Sequence, residues 1–363
     1  MKNSVNTSLA MKINKNQKQR IDADKKRGFI ALLILTFAFA AGTLQVPATI
    51  PVTLATMFIF IGLCGAYVLQ LNPTAIKVFR PRVIENWRAV FLVPSVLWLC
   101  SVLYQSALGT FAWSYMAVNF VLLFLPTSLI YFTKIKDQRF AWAQGIALLA
   151  IWAPIEFALL HRPTLPPSDG IVSLFTLEGI VLTLFLFIWL GDFQDIAPTL
   201  RVKSKDVESA VWYFALFLAI WGLPFSFLSG LMSVPEYFPG WGQVIRRIFF
   251  IFFFVAIPEE LVFRGIVQNS IEKKFSHHPK ATWIALALGS LIFGIAHLNT
   301  GYGPTFFITI SNSLAFKVSW AYFLFSIGAG VFYGLAFTKT RNVMAAALTH
   351  GLVDIIFAFF LAN

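Results

Sequence analysis

The chain has 363 residues, of which 58% are hydrophobic and 12% are charged, with a net charge of +12 and a mean hydropathy of +0.76. Soluble domains hold about 45–50% apolar and about 25% charged residues, so this composition excludes a soluble fold and predicts a polytopic membrane protein. The basic excess does not predict a nucleic-acid partner, because most Lys and Arg fall in short connections between apolar runs, which is how membrane topology is encoded.

In chain order, the apolar runs predict an all-α transmembrane bundle of about eleven helices. They lie near 28–47, 52–71, 89–108, 112–133, 140–160, 170–190, 210–232, 246–268, 281–298, 318–337 and 343–362, each close to the ~20 residues that cross a bilayer. The basic segments 1–27, 72–88, 134–139, 191–209, 269–280 and 338–342 alternate with nearly uncharged connections such as "QVPATIP" and "ALGTFA". The positive-inside rule then puts the N-terminus in the cytoplasm and the C-terminus outside. Arg246 and Arg247 fit this poorly, at the outer end of the eighth run. "AFA" at 38–40 has the form of a signal-peptide cleavage site, but the 27-residue polar lead is too long for that role.

Three units are expected: a basic cytoplasmic segment at 1–27, an N-terminal bundle of unassigned role at 28–206, and a C-terminal unit at 207–363. The charged stretch at 192–209 marks the division. Cys64 and Cys100 sit in apolar runs, where free cysteine behaves as a small hydrophobe. His277 and His278 lie beside Lys273, Lys274 and Lys280, which predicts solvated side chains.

The first four runs hold no ionisable group, and the fifth and sixth hold one each, Glu156 and Glu178. Single carboxylates of this kind are expected to be hydrogen-bonded inside the bundle or protonated. The later runs differ. "EELVFR" places Glu260 and Arg264 at i,i+4, on one helix face, and turns Glu259 about 100° away. "FGIAH" places Phe293 and His297 at the same spacing, and "HGLVD" does so for His350 and Asp354. A purely structural network explains the pairs, with Arg264 neutralising Glu260 and Asp354 orienting His350. It does not explain Glu259 and His297, for which the sequence offers no charged partner on their own helices. A carboxylate near a histidine is what general acid–base chemistry requires.

EExxxR, then FxxxH, then HxxxD on successive apolar helices resembles the CPBP family of intramembrane proteases, which includes the CAAX-prenyl endoproteases and the Abi bacteriocin-immunity proteins. The resemblance covers about residues 207–363, and Asp354 stands where prenyl endoproteases tend to carry asparagine. It implies hydrolysis of a peptide bond in a membrane-embedded or lipidated protein, in a multi-pass protein of a prokaryotic plasma membrane. It assigns Glu259 as the base that activates water, His297 as the group that positions it, and His350 with Asp354 as stabilisers of the developing oxyanion. Glu260 and Arg264 hold the first helix and tune its field. Zinc held by Glu259, His297 and His350 and a metal-free glutamate mechanism both fit these residues. From other classes, a proton-coupled transporter and a catalytically inactive scaffold stand as alternatives. Counted from the cytoplasmic ends of their runs, Glu259 lies roughly 15 Å deep, His350 roughly 11 Å and His297 roughly 24 Å. That mismatch predicts a ninth helix starting deeper than residue 281, or one steeply tilted.

The topology is checked by single-cysteine labelling from the two sides of sealed membranes. Cysteines within 72–88, 134–139 and 269–280 are expected to react from the cytoplasmic side, and those within 161–169 from the outside. Labelling of position 277 from outside overturns the assignment.

Overall fold

The computed structural model describes residues 15–43, 49–133, 142–156, 173–191, 193, 202–232, 240–311 and 314–359. The connections 134–139 and 161–169, the first 14 residues and half of the expected division at 192–209 lie outside the described residues, as does the side chain of Glu156.

Every apolar run forms a helix. The N-terminal half contains α1 (Lys15–Thr43), α2 (Ile50–Gln70), α3 (Pro73–Ile84), α4 (Trp87–Leu108), α5 (Trp113–Thr133), α6 (Trp142–Glu156) and α7 (Leu174–Leu184). Beyond α7 the helix widens into π-type turns over Phe185–Leu190. The C-terminal half contains α8 (Ser204–Phe217), which passes through π turns at Leu218–Gly222 into α9 (Leu223–Ser229). One long helix then runs through α10 (Trp241–Ile251), α11 (Ile257–Glu260) and α12 (Asn269–Lys274), with π turns at Phe252–Ala256 and Leu261–Gln268. α13 (Ala281–Ile295), α14 (Trp320–Thr340) and α15 (Val343–Phe357) complete it. Val52–Gln70, Trp87–Leu108, Trp113–Thr133, Ser204–Ser229 and Trp320–Thr340 are long and apolar enough to cross a membrane, and shorter apolar helices pack among them. The chain is an integral membrane helical bundle.

Four features depart from the sequence reading. The polar residues from Lys15 onward are helical and lead without a break into the first apolar run. The basic connection 72–88 holds an extra helix, α3. Asn72 caps it by accepting from Thr74 and Ala75 N–H, and Pro73 sits in its first turn, where a missing N–H costs nothing. From α3, Arg80 donates to the carbonyls of Trp189 and Gly191 at 2.8 Å each, closing the wide turns that end the α7 helix. The eighth helix spans Trp241 to Lys274 rather than 246–268, so Arg246 and Arg247 lie inside it rather than at its outer end. Between α13 and α14 the otherwise helical chain adds a small antiparallel hairpin, β1 (Phe306–Ser311) with β2 (Leu314–Val318), which sets Phe306 opposite Val318 and Phe307 opposite Lys317.

The C-terminal helices approach closely because small residues line their contacts, as is common where lipid supplies no hydrophobic drive. At Gly330 of α14 an added Cβ would stand 3.2 Å from the Ser290 backbone of α13. α14 and α15 are joined by Arg341 and Asn342 alone. Arg341 takes the left-handed conformation at φ 54°, and Asn342 caps α15 by accepting from Met344 N–H. The same Asn342 donates to Asp206 Oδ2 at 2.8 Å, tying the start of α15 to the start of α8. His277 and His278 are exposed, as expected.

Outside the apolar spans, Arg341 donates to both oxygens of Glu272 (2.6 and 2.8 Å) and so clamps the α14–α15 turn to α12. The guanidinium holds the Glu272 carboxyl below its ordinary range. A depressed carboxyl contributes stability that is present above the usual carboxylate pKa and lost as pH falls through the lowered value. Arg341→Ala is therefore expected to reduce stability at neutral pH by about 0.2–1 kcal/mol, the range for partly exposed pairs. Melting curves in detergent should show the gap to the parent protein closing below about pH 4.

Candidate intramembrane active site

The site is built on four helical elements. Glu259 and Glu260 lie on the single α turn of α11, and Arg264 follows on the adjoining π turns. His297 lies in the turn just past α13, where its N–H bonds to Gly294 O at 2.9 Å. His350 and Asp354 face inward from α15, and Tyr333 comes from α14.

All six residues singled out in the sequence come together. The start of α13 at Ala281 agrees with the sequence reading, so the mismatch in depth does not arise from a late start of that helix. For Glu259 it arises from the eighth helix, which extends to Lys274 and places Glu259 roughly 22 Å from that end at 1.5 Å per residue, while His350 keeps its count of roughly 11 Å from Val343. His297, roughly 24 Å from Ala281, is then at a level similar to that of Glu259.

Arg264 is the anchor. It is fully buried, with Nε 2.9 Å from Glu260 Oε2. Its guanidinium carbon stands 5.0 Å from the Phe293 ring centre and 5.7 Å from that of Tyr333, within the range of a cation–π contact. Nη1 and Nη2 have no hydrogen-bond acceptor among the described residues, so the aromatic faces supply the remaining stabilisation. Glu260 uses its other oxygen on a different helix: His350 Nδ1 donates to Oε1 at 3.0 Å. The i,i+4 pair read from the sequence is therefore one half of a bridge from α11 to α15.

His350 is held from every side. Its Nε2 stands 3.2 Å from Asp354 Oδ2. Tyr333 stacks on the ring at 4.5 Å with a 17° interplanar angle, and Phe293 meets it edge-on at 5.7 Å. Each ring nitrogen thus has a carboxylate oxygen as its neighbour.

Glu259 is differently placed. Its Oε2 accepts no hydrogen bond among the described residues. It stands 3.7 Å from His297 Nε2 and 4.0 Å from His350 Nε2. His297 Nδ1 donates to Phe293 O at 2.7 Å, which points Nε2 at the glutamate. Glu259 also forms part of the wall of an apolar cavity of about 310 Å³, whose other lining includes Trp152 of α6, Thr183 of α7, and Val262 and Phe263.

No group of three or more His, Cys, Asp or Glu side chains among the described residues has the spacing of a metal shell. His350 directs Nδ1 at Glu260 Oε1, and its Nε2 stands 3.2 Å from Asp354 Oδ2 and 4.0 Å from Glu259 Oε2.

Two site residues escaped the sequence reading. Tyr333 lies in "GAGVFYG", and Tyr322 packs 5.9 Å from His297. Neither is ionised at neutral pH, and the chain is rich in aromatic residues, so nothing in the pattern marked them. The glycines around Tyr333 signalled close helix packing but not what packs there.

Residues 241–356 match a family described as Rce1-like, type II CAAX prenyl endopeptidase Rce1-like. Residues 241–356 form an Rce1-like domain, similar in sequence to the CAAX prenyl endopeptidases. The matched segment starts with α10 and ends within α15, so the Rce1-like domain contains all six residues of the cluster and leaves α1–α9 outside it. No curated protein and no solved structure matches the chain.

Breaking a buried ion pair by removing one partner costs about 3–5 kcal/mol, because the remaining charge is left uncompensated. Glu260→Gln does this to Arg264 and takes a charged acceptor from His350. The expected outcome is a large fall in melting temperature and yield. Glu260→Gln combined with Arg264→Met is expected to recover part of that loss. A variant Glu260→Gln as stable as the parent protein would show that the aromatic faces alone carry the guanidinium.

Proposed function

We propose that the chain is an intramembrane endopeptidase in which Glu259 activates water for attack on a peptide bond of a membrane-associated protein. The observation that supports it best is the unbonded Oε2 of Glu259, 3.7 Å from His297 Nε2. A water oxygen bridging the two groups would be within hydrogen-bonding reach of both. As the water oxygen attacks the carbonyl carbon, its proton passes to Glu259. The tetrahedral oxyanion is stabilised by the positive field of His350, held in place by Glu260 and Asp354. Collapse breaks the C–N bond, and the proton on Glu259 goes to the leaving amine. Six residues thus fall into three roles: Glu259 and His297 on the water, His350 and Asp354 toward the oxyanion, Glu260 and Arg264 as the frame.

In this reading residues 207–363 are the protease core and 28–206 a separate N-terminal bundle behind the basic segment 1–27. The substrate is a lipidated, CAAX-type protein or a membrane-embedded one. The enzyme works in the plasma membrane of a prokaryote, with its N-terminus in the cytoplasm. No step of this reading needs a metal.

The test uses purified protein with a fluorogenic farnesylated CAAX peptide and its unprenylated twin. Glu259→Gln should fold normally and lose about 10²- to 10⁴-fold in turnover, the usual contribution of a positioned acid or base. Activity should survive rigorous chelation. Undiminished cleavage by Glu259→Gln removes it as the base. Loss of activity on chelation with recovery on added zinc would instead establish a metal site.

A further inference from the structure

Pro258 takes a backbone donor away one residue before Glu259. Over Phe252–Ala256 the helix bonds from i to i+5, and the N–H of Ile257 goes to Phe252 O. Phe253 O would take its donor from residue 257 in an α pattern or from residue 258 in a π pattern. The first is spent on Phe252 and the second is proline, which has no N–H. A carbonyl without a donor is costly in an apolar bundle, where water is not at hand to satisfy it.

The donor comes from the other half of the chain. Tyr67 of α2 is 3% exposed, and its hydroxyl donates to Phe253 O at 3.3 Å across 186 positions of sequence. Its ring packs near Phe254, which also meets Phe60 of α2. This is a specific polar tie between the N-terminal bundle and the helix that carries Glu259.

We infer that Tyr67 is a positioning residue for the active site, its hydroxyl standing in for the amide hydrogen that Pro258 lacks. The inference rests on the reading of Glu259 as the base. The tie acts on the turn immediately before Glu259, and Glu259 must hold its place against His297, since a misplacement of about 1 Å can cost on the order of 10²-fold in rate. The bundle outside the Rce1-like segment thereby becomes part of the working enzyme.

Tyr67→Phe removes the hydroxyl and keeps the ring. It is expected to lower kcat on the farnesylated fluorogenic peptide about tenfold, the effect of one lost hydrogen bond, with KM unchanged. It should also speed amide hydrogen exchange over residues 253–262. Pro258→Ala restores a backbone N–H, so in that background Tyr67→Phe should change kcat by less than about twofold, with exchange slowed again. Tyr67→Phe matching the parent protein in both readouts overturns the inference, and so does an equal loss with alanine or proline at 258. Glu259→Gln, assayed alongside, separates the two readings. If it remains active the base is misassigned, while the exchange data still decide whether the hydroxyl replaces the missing donor.

Discussion

A permanently charged guanidinium enclosed in an apolar helical bundle is the constraint around which the C-terminal half is organised. Arg264 cannot shed its proton at any ordinary pH, so the fold must compensate it where it stands. Glu260 does so along the same helix, and Phe293 and Tyr333 do so from α13 and α14. Those partners do further work. Glu260 reaches across to His350, Phe293 receives the Nδ1 proton of His297 on its carbonyl, and Tyr333 stacks on His350. One buried charge thus brings α11, α13, α14 and α15 into a single arrangement. Glu259, on the neighbouring position, is the carboxylate this network leaves unbonded.

The helix that carries these groups is far from regular, and its irregularities are where other elements attach. Its two π stretches flank the one α turn bearing both glutamates. The first leaves a carbonyl for Tyr67, and the second carries Arg264 and leads to Gln268, whose amide donates to Thr338 of α14 at 3.2 Å. Widened turns expose backbone acceptors or reorient side chains at the cost of helical regularity, and such turns are frequent at functional sites. The close approach of α13 and α14 through glycine works alongside this, because Phe293 and Tyr333 contact Arg264 only if the two backbones are near.

The sequence carried the helices and the inventory of the site well, since both rest on local rules. Apolar runs of membrane length announce themselves, and i,i+4 spacing correctly places Glu260 with Arg264 and His350 with Asp354 on common faces. What spacing cannot carry is the choice of partner between helices. Nothing local says that Glu260 also bonds His350, or that an aromatic from α14 fills the space between His350 and Arg264. The end of the eighth helix was misjudged because Glu272, Lys273 and Lys274 look like a loop in a membrane chain, whereas they form its last polar turn. Helix α3 was hidden for the same reason: its charged residues match a connection, and its role depends on carbonyls at Trp189 and Gly191 more than a hundred positions away.

The wide turns before and after Ile257–Glu260 also make the length of this segment a carrier of information in its own right. Each residue adds about 100° of rotation, and each π stretch accommodates its extra residue without passing that rotation on through the helix. Shortening the run between Ile251 and Glu259 by one position would leave hydropathy, charge and membrane fit unchanged. It would take up the extra residue of the first π stretch and leave Glu259 facing as it does, with regular α turns before it. The segment is thus open to many exchanges of one apolar side chain for another, while the loss of a single residue removes the widened turn that meets the N-terminal bundle and keeps the direction of its acid.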